Sequence, residues 1–377
     1  MIDAVLGDPL GGVSDEAWDA LAGPHFYSSA KWLRHTARLG FGRPGAITVG
    51  ALAAAVPVSE IASPPAALYR WSDLLADAGL PRIPERGYLL GATQGFQTHL
   101  LTSPHTSRFS AATALVQGAA ELPAMPGEHA CVAMYLDTGD ALAIREAGVP
   151  AVPVLLDADA WIDIPPGGWD PWLETLPSKR RVAVRREVRR FSEAGYTVTH
   201  LPLSECYPAL APLGQATQSK YGSAGPVEVF LGLLKAHVDG MGDDARVAVC
   251  ARDGEDPVGF CVYYVWRDAV FLRWAGFDYE RTAQAAEYFN LVYYAQIMAA
   301  AQTGARRLHA GIKAMEAKAL RGASVHPLWM VDLAEGSALV RAEADVRAHN
   351  RALSSRILDD PRTGPAVARR EDWSLFS

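Results

Sequence analysis

Three short apolar runs in the second half, Arg246–Ala251, Val258–Trp266 and Val270–Ala275, are separated by the turn pairs Asp253-Gly254 and Arg267-Asp268. Runs of this kind, punctuated so closely, read as an antiparallel meander. A bare three-stranded meander has two faces to cover, so its flanks decide what fold it can join. Upstream stand a strand over Tyr196–Leu201 and two helices, near Leu203–Lys220 and Val227–Val238. Downstream a long helix over about 283–302 carries Tyr288, Leu291, Val292, Ala295 and Ala299 on one stripe. A strand near Arg307–Ala310, a short helix, a strand at Val325–Val331 and a helix over Ser337–Ile357 complete the half. The sheet is therefore mostly antiparallel, with helices on its faces.

The first half carries similar signals more weakly. Ser14-Asp15-Glu16 caps a short helix and Ser28/Ser29 a second. Ala46–Val58 reads as one buried strand, Pro64-Pro65 opens a loop, and Tyr88–Leu101 reads as one or two strands. A helix near Ser110–Leu122, a strand at Cys131–Leu136 and a helix capped by Asp137 follow, then strands at Val152–Leu156 and Trp161–Ile164. Pro165-Pro166-Gly167-Gly168 is the strongest punctuation in the chain. With 377 residues, too many for one ordinary core, it predicts two domains, 1–165 and 166–377.

The chain is half apolar and carries a net charge of −7. Any contact with nucleic acid must come from a local basic patch. Cys131, Cys206, Cys250 and Cys261 form no C-x-x-C pair and read as buried thiols in a reducing compartment. The first residues lack the basic and apolar regions of a signal peptide, and no apolar run is long enough to span a bilayer. The expectation is a cytoplasmic protein without membrane insertion.

The basic patch is at Ser178–Phe191. Val184, Val188 and Phe191 share one helical face, while Arg181, Arg185, Arg186, Arg189 and Arg190 crowd the other. Glu187 is the one acid within it. Such a face is either simply solvated or built for a phosphate partner, which Arg forks bind bidentately. The helix N-terminus at Ser178 adds its own preference for anions. A second segment, Gly311–Gly322, packs Lys313, Lys318 and Arg321 with Glu316 into a short turn-rich stretch. It is either a capped helix ending at Gly322 or a place where a cation meets developing negative charge. Tyr263, Tyr264, Trp266 and Trp274 lie on adjacent strands and read either as core or as a cleft lining.

Other chemistry lacks a signal. No phosphate-binding P-loop and no G-x-S-x-G elbow occur, and the ten histidines show no metal-ligand spacing, so no metal and no bound cofactor are expected.

The element order is that of the acetyltransferase (GNAT-like) fold, and particular residues resemble one branch of it. Lys179-Arg180-Arg181…Arg185-Arg186…Phe191…Gly195 resembles the helix that opens the second domain of FemABX-like and BioF2-like proteins. Tyr288…Asn290…Tyr294…Ile297…Ala301…Gly304, followed by Gly311…Glu316-Ala317-Lys318…Arg321-Gly322, resembles that superfamily's closing motif. His25-Phe26-Tyr27-Ser28-Ser29…Trp32-Leu33 is similar to its opening signature.

The resemblance implies an α/β (α+β) architecture of two tandem GNAT-like domains. It implies Lys318, in the K-x-x-x-G pattern ending at Gly322, as the catalytic residue. Arg181 or Arg185 best matches the family's phosphate-contacting arginine. With them, Lys179, Tyr221, Trp274, Asn290, Tyr294 and Arg321 are the candidate substrate- or phosphate-binding residues. Ala317 stands where FemX-type enzymes often have an aromatic, and no inserted coiled-coil arm is visible.

The implied activity is transfer of an amino acid from aminoacyl-tRNA to a small-molecule or peptide acceptor, forming an amide or ester in natural-product or cell-wall precursor biosynthesis. The alternatives are an acyl-CoA-dependent N-acyltransferase and a non-catalytic anion-binding module. An acetyl-CoA enzyme presents a glycine-rich loop to the pyrophosphate at the start of its long helix. Here that place reads Phe277-Asp278-Tyr279-Glu280-Arg281-Thr282-Ala283, and the first half offers Ser103–Arg108, neither with glycine.

Overall fold

The computed structural model describes residues 1–63, 67–222 and 225–377. The Pro64-Pro65 loop start lies outside the described residues. The strands are β1 (Ile2–Leu6), β2 (Arg43–Val49), β3 (Ala54–Ile61), β4 (Gly87–Leu90), β5 (Leu101–Thr102), β6 (Ala130–Leu136), β7 (Val154–Asp163), β8 (Tyr196–Pro202), β9 (Arg246–Arg252), β10 (Gly259–Trp266), β11 (Ala269–Phe277), β12 (Arg307–Ile312) and β13 (Ser324–Asp332). The helices are α1 (Asp15–Ala22), α2 (Ala30–Arg38), α3 (Trp71–Asp77), α4 (Arg108–Ala120), α5 (Thr138–Glu146), α6 (Trp169–Thr175), α7 (Ser178–Glu193), α8 (Tyr207–Lys220), α9 (Val227–Met241), α10 (Glu287–Phe289), α11 (Ala295–Thr303), α12 (Met315–Ala319), α13 (Ala338–Arg341) and α14 (Glu343–Leu358).

One order occurs twice: strand, two helices, a meander, a helix, a parallel strand, a helix and a last strand. The first copy runs β1, α1, α2, β2, β3, β4, α4, β6, α5, β7, with α3 and β5 added; the second runs β8, α8, α9, β9, β10, β11, α10/α11, β12, α12, β13. Pairing repeats as well. β1 to β4 are successively antiparallel, and β4 then pairs β6 in parallel. β8 to β11 do the same, and β11 pairs β12 in parallel. This is the tandem GNAT-like architecture.

The compact units are not the two copies. One unit comprises Met1–Asp159 with Val325–Ser377, the other Ala160–Ser324. The last strand of the second copy, β13, pairs antiparallel with β6 in the first unit, while β7 ends in the second unit, where Ile164 donates to the Arg306 carbonyl at 2.7 Å. The division falls within β7, with Val154–Asp159 in the first unit and Ala160–Asp163 in the second. The boundary at 165/166 is thus a proposal about the repeat, and packing draws a different outline.

Two expectations about strands are corrected. Ala46–Val58 is the hairpin β2–β3, not one strand, because Gly50 (φ +54°) and Leu52 (φ +58°) turn the chain. Val152–Leu156 and Trp161–Ile164 are parts of one strand, β7. Of the cysteines, Cys250 and Cys261 are buried, while Cys131 and Cys206 are half-buried.

The second unit has an apolar core built from the inner faces of β8–β12 and from Trp172, Leu173, Val184, Phe191, Leu291, Tyr293, Tyr294 and Ile297. Its helix α8 lies directly on β11. A Cβ at Gly276 would come 2.8 Å from the Gly214 nitrogen and 2.4 Å from the Phe260 ring, so only glycine lets the helix sit there. β11 carries an extra residue, Arg273, since Val262 faces Trp274 and Tyr263 faces Leu272. This bulge bends the strand. β11 pairs β12 only from Ala269 to Phe271, and beyond that point the two parallel strands part company. Among the described residues no helix is long and apolar enough to cross a membrane.

Candidate functional site

The site elements gather where β11 and β12 diverge. The chain leaves β11 through a loop in which Gln284 (φ +55°) and Ala286 (φ +64°) adopt left-handed conformations. It leaves β12 through Gly311 (φ +72°), Lys313 (φ +68°) and Ala314 (φ +51°). Non-glycine residues in this region are strained and persist only where their surroundings enforce them.

The helix after the first loop widens at once. Asn290–Tyr294 form a five-residue π-turn between α10 and α11. Such turns cluster at functional sites. Two candidate residues, Asn290 and Tyr294, sit at its ends and are buried. Asn290 donates its side-chain amide to the Ala286 carbonyl at 2.9 Å and to the Glu187 carbonyl at 3.3 Å. Tyr294 donates its hydroxyl to the Glu187 carboxylate.

Glu187, the one acid of the basic helix α7, organises the site. Its carboxylate also accepts from Arg321 Nη2 at 3.2 and 3.4 Å. Arg321 is 5% exposed. It donates Nε to the Tyr294 hydroxyl at 3.0 Å and Nη1 to the Ala317 carbonyl at 2.8 Å. Its guanidinium lies 3.2 Å over the Phe289 ring centroid. Buried Arg321 thus points inward, held by an acid, a phenol, a carbonyl and an aromatic face. Burial, ahead of the opposing Arg321 charge, drives the Tyr294 phenol well above its ordinary value, so Tyr294 stays a donor near neutral pH.

Lys318 is 4% exposed on the short helix α12. Its Nζ donates to the Gly311 and Ile312 carbonyls at 2.7 and 2.9 Å. The left-handed turn at Gly311 belongs to this arrangement. Lys318 therefore clamps the end of β12 from α12, and its ammonium charge lies beside the strand divergence.

The arginine face is more compensated than its sequence implies. Arg181 pairs with Glu174, and Arg185 reaches the same carboxylate at 3.5 Å. Arg189 pairs with Glu193 at 3.6 Å, and Arg190 donates to the Gln284 carbonyl at 2.8 Å. Lys179 stands exposed on the first turn, and the N-cap is Pro177, with Ser178 already inside the helix. Val184, Val188 and Phe191 face the core as the periodicity requires.

Two candidates lie away from this network. Trp274 packs edge-on against His237 of α9 at 5.8 Å, among helices α8 and α9, and lines a small cavity with Phe230 and Phe260. Tyr263 and Tyr264 are core residues. Tyr221 ends α8 and is 73% exposed.

Asn290 and Tyr294 also line a groove of about 420 Å³ bounded by Val188, Phe191, Tyr196, Val198 and Met298. Its one imidazole, His200, is hydrogen-bonded to the Tyr263 hydroxyl at 2.9 Å, and burial, with Arg246 second, lowers its pKa.

The sequence did not single out Glu174, Glu287, Phe289 or Trp169, whose ring lies edge-on to Tyr294 at 5.6 Å. Only a contact made across 134 residues, from Glu187 to Arg321, identifies the role of the acid within α7. Glu287 is 5% exposed and accepts from the Ala283 amide at 2.7 Å. A protein carboxylate so occupies an amide of the loop with which acetyl-CoA enzymes of this fold hold pyrophosphate.

These elements are those of the GNAT fold. The family model described as an acetyltransferase (GNAT) domain matches residues 178–319. The solved structure of FemX is similar over 88% of this chain and 97% of its own, at 12% identity and a TM-score of 0.58. L-PGS from Bacillus licheniformis is similar over 87% and 96%, at 11% identity and a TM-score of 0.54. A conserved protein of unknown function from Bacteroides thetaiotaomicron is similar over 88% and 100%, at 11% identity and a TM-score of 0.55. No curated protein matches the sequence. The chain has a tandem GNAT-like fold.

Proposed function

We propose that this chain transfers an aminoacyl group from aminoacyl-tRNA to an amine on a small-molecule acceptor in the cytoplasm. The observation that carries this reading is the Glu287 carboxylate on the Ala283 amide. A second anion brought to that loop would be repelled by the buried acid and would find the amide taken. The donor's phosphates then fall to the exposed cations of α7, where Lys179, Arg185 and Arg186 face water; Arg181, half-buried on Glu174, supports that wall.

In the reaction the acceptor nitrogen attacks the ester carbonyl, the C–N bond forms, and the carbonyl oxygen takes the negative charge. The C–O bond to the ribose then breaks, and the departing oxygen takes the proton that the amine sheds. Lys318 supplies positive charge at the strand divergence for the oxyanion and the leaving oxygen. Asn290, Tyr294 and Arg321 hold the wall of the site. The test is incubation with a charged-tRNA pool and, separately, with acyl-CoAs, reading which acyl group leaves its carrier. Release from CoA alone would overturn the tRNA reading.

Acyl-CoA remains the second reading, favoured by the acetyltransferase description of the matched domain. It requires CoA to bind: at 100 times its Kd a ligand stabilises by about 2.7 kcal/mol, visible as a thermal shift.

A further inference from the structure

The candidate chemistry leaves unused a group of exposed tyrosines beside the strand divergence. Tyr279 follows β11, Tyr221 ends α8, and Tyr288 opens the long helix; they are 36%, 73% and 40% exposed. Tyr221 follows Lys220 directly at the end of α8. Phe277 links the others, with ring centroids 6.1 Å from Tyr279 and 5.7 Å from Tyr288. Lys220 Nζ lies 3.4 Å from the Tyr279 ring centroid. The Phe277 amide donates to Thr217 Oγ1 at 2.8 Å, fixing the end of α8 to the end of β11.

The surface has a basic neighbour. Arg190 of α7 donates to the Gln284 carbonyl, in the loop that also carries Tyr279. Tyr196 ties the same loop by accepting from Ala283 at 3.2 Å and donating to the Arg281 carbonyl at 3.3 Å. Exposed aromatic faces next to a row of cations are the arrangement that holds unpaired bases, with stacking on the rings and phosphates on the cations. Three exposed tyrosines, two of them linked through Phe277, leave ring surface facing water.

We infer that Tyr221, Tyr279 and Tyr288 form a stacking platform for an unpaired nucleobase, the terminal adenine of the donor, with Lys220 and the α7 arginines on its phosphates. The inference rests on the acyl-transfer reading of the neighbouring site. Adenine is shared by an RNA 3′ end and by CoA, and the protein's compensated phosphate loop favours the RNA.

The test measures binding of a fluorescent single-stranded RNA ending in CCA-3′, without any amino acid, to the intact chain, with CoA and adenosine 3′,5′-bisphosphate as separate arms. Tyr221→Ala and Tyr279→Ala should each weaken RNA binding roughly tenfold, while Tyr279→Phe keeps it, because stacking uses the face and not the hydroxyl. Circular dichroism and melting establish that each variant is folded. Equal affinity in wild type and both alanine variants overturns the platform, as does an equal loss in Tyr279→Phe, or no binding of any nucleotide. Tyrosine-dependent binding of CoA without RNA keeps the platform and overturns the tRNA donor. Tyrosine-dependent RNA binding without transfer from aminoacyl-tRNA likewise keeps the platform and overturns the proposed reaction.

Discussion

Glu187 and Lys318 show how little a single residue's identity says before its partners are known. In the sequence Glu187 looks like a weak counter-charge within an arginine run, yet it faces away from that run and holds Arg321 and Tyr294. Removing it leaves a nearly buried guanidinium uncompensated, so Glu187→Ala should cost about 2–4 kcal/mol of stability. Thermal denaturation checks this, and an added Arg321→Met should restore part of the loss if the two residues are coupled. Lys318→Met should lower the rate of transfer by about a hundredfold or more. It should also loosen the end of β12, because two carbonyls lose their donor; a folded variant with near-normal turnover rules out the assigned role.

In the first unit His99 lies 3.7 Å from both Asp137 and Asp140 and stacks on His25 at 3.6 Å. Arg108 takes the carboxylates' other oxygens at 3.7 and 3.6 Å, so protein charges already balance a group whose ligand spacing would admit a metal. Burial lowers the His99 pKa, but the Asp140 hydrogen bond and the two carboxylates outweigh it and raise it above the ordinary value. Asp140 is also raised, chiefly by burial. A raised folded value means that the His99 contribution is complete below about pH 6.5 and is lost as pH climbs through the raised value. Melting temperature should therefore fall across that window, and the fall should be smaller in His99→Gln.

At the scale of elements, α7 and the long helix carry the argument. Their existence was legible because period and composition agree over many turns. The partners of α7 were not. Glu174 and Glu193 sit at its two ends, and no periodicity assigns Arg181 and Arg185 to the first. The long helix starts at Glu287, four residues later than its composition suggests, because Gln284 and Ala286 are left-handed. Its π-turn is invisible to a 3.6-residue pattern, since it rearranges backbone bonds without changing which residues are apolar. If the exposed arginines hold the donor, Arg186→Ala should weaken tRNA binding and reduce the magnitude of the log–log salt slope by about one. An unchanged slope in filter-binding or anisotropy titrations would remove α7 from the donor site.

At the scale of the whole chain, the two copies do not fold as two halves. β13 and α14 belong to the first unit. Asn350 of α14 is wholly buried there, accepting from the Leu155 amide at 2.9 Å and donating to the Pro153 and Phe376 carbonyls. A fragment ending at 165 lacks these partners and should be protease-sensitive and without a cooperative melt, although it contains one full copy of the repeat. A cooperatively folded 1–165 fragment would show that the exchanged strand is dispensable.

The copies also differ where a ligand would enter. In the second unit the left-handed Gly311 carbonyl is held by Lys318. In the first, Tyr135 is likewise left-handed (φ +60°) at the end of β6, but its carbonyl accepts from the Thr98 amide at 2.9 Å, so the protein's own chain lies along that strand. This divergence is a second reason to seek the chemistry in residues 178–319.

By itself the sequence determined the order of elements, the fold that order permits, and the chemical types brought to the site: an arginine helix, a lysine before Gly322, and no glycine loop. These are local properties, set by period, punctuation and charge. Tertiary structure alone decided which unit holds β13, that Glu187 belongs to Arg321, and that Glu287 takes the Ala283 amide. Each of those facts is a contact between segments brought together only by folding, and hydrogen bonds and ion pairs act over a few ångströms whatever the separation along the chain.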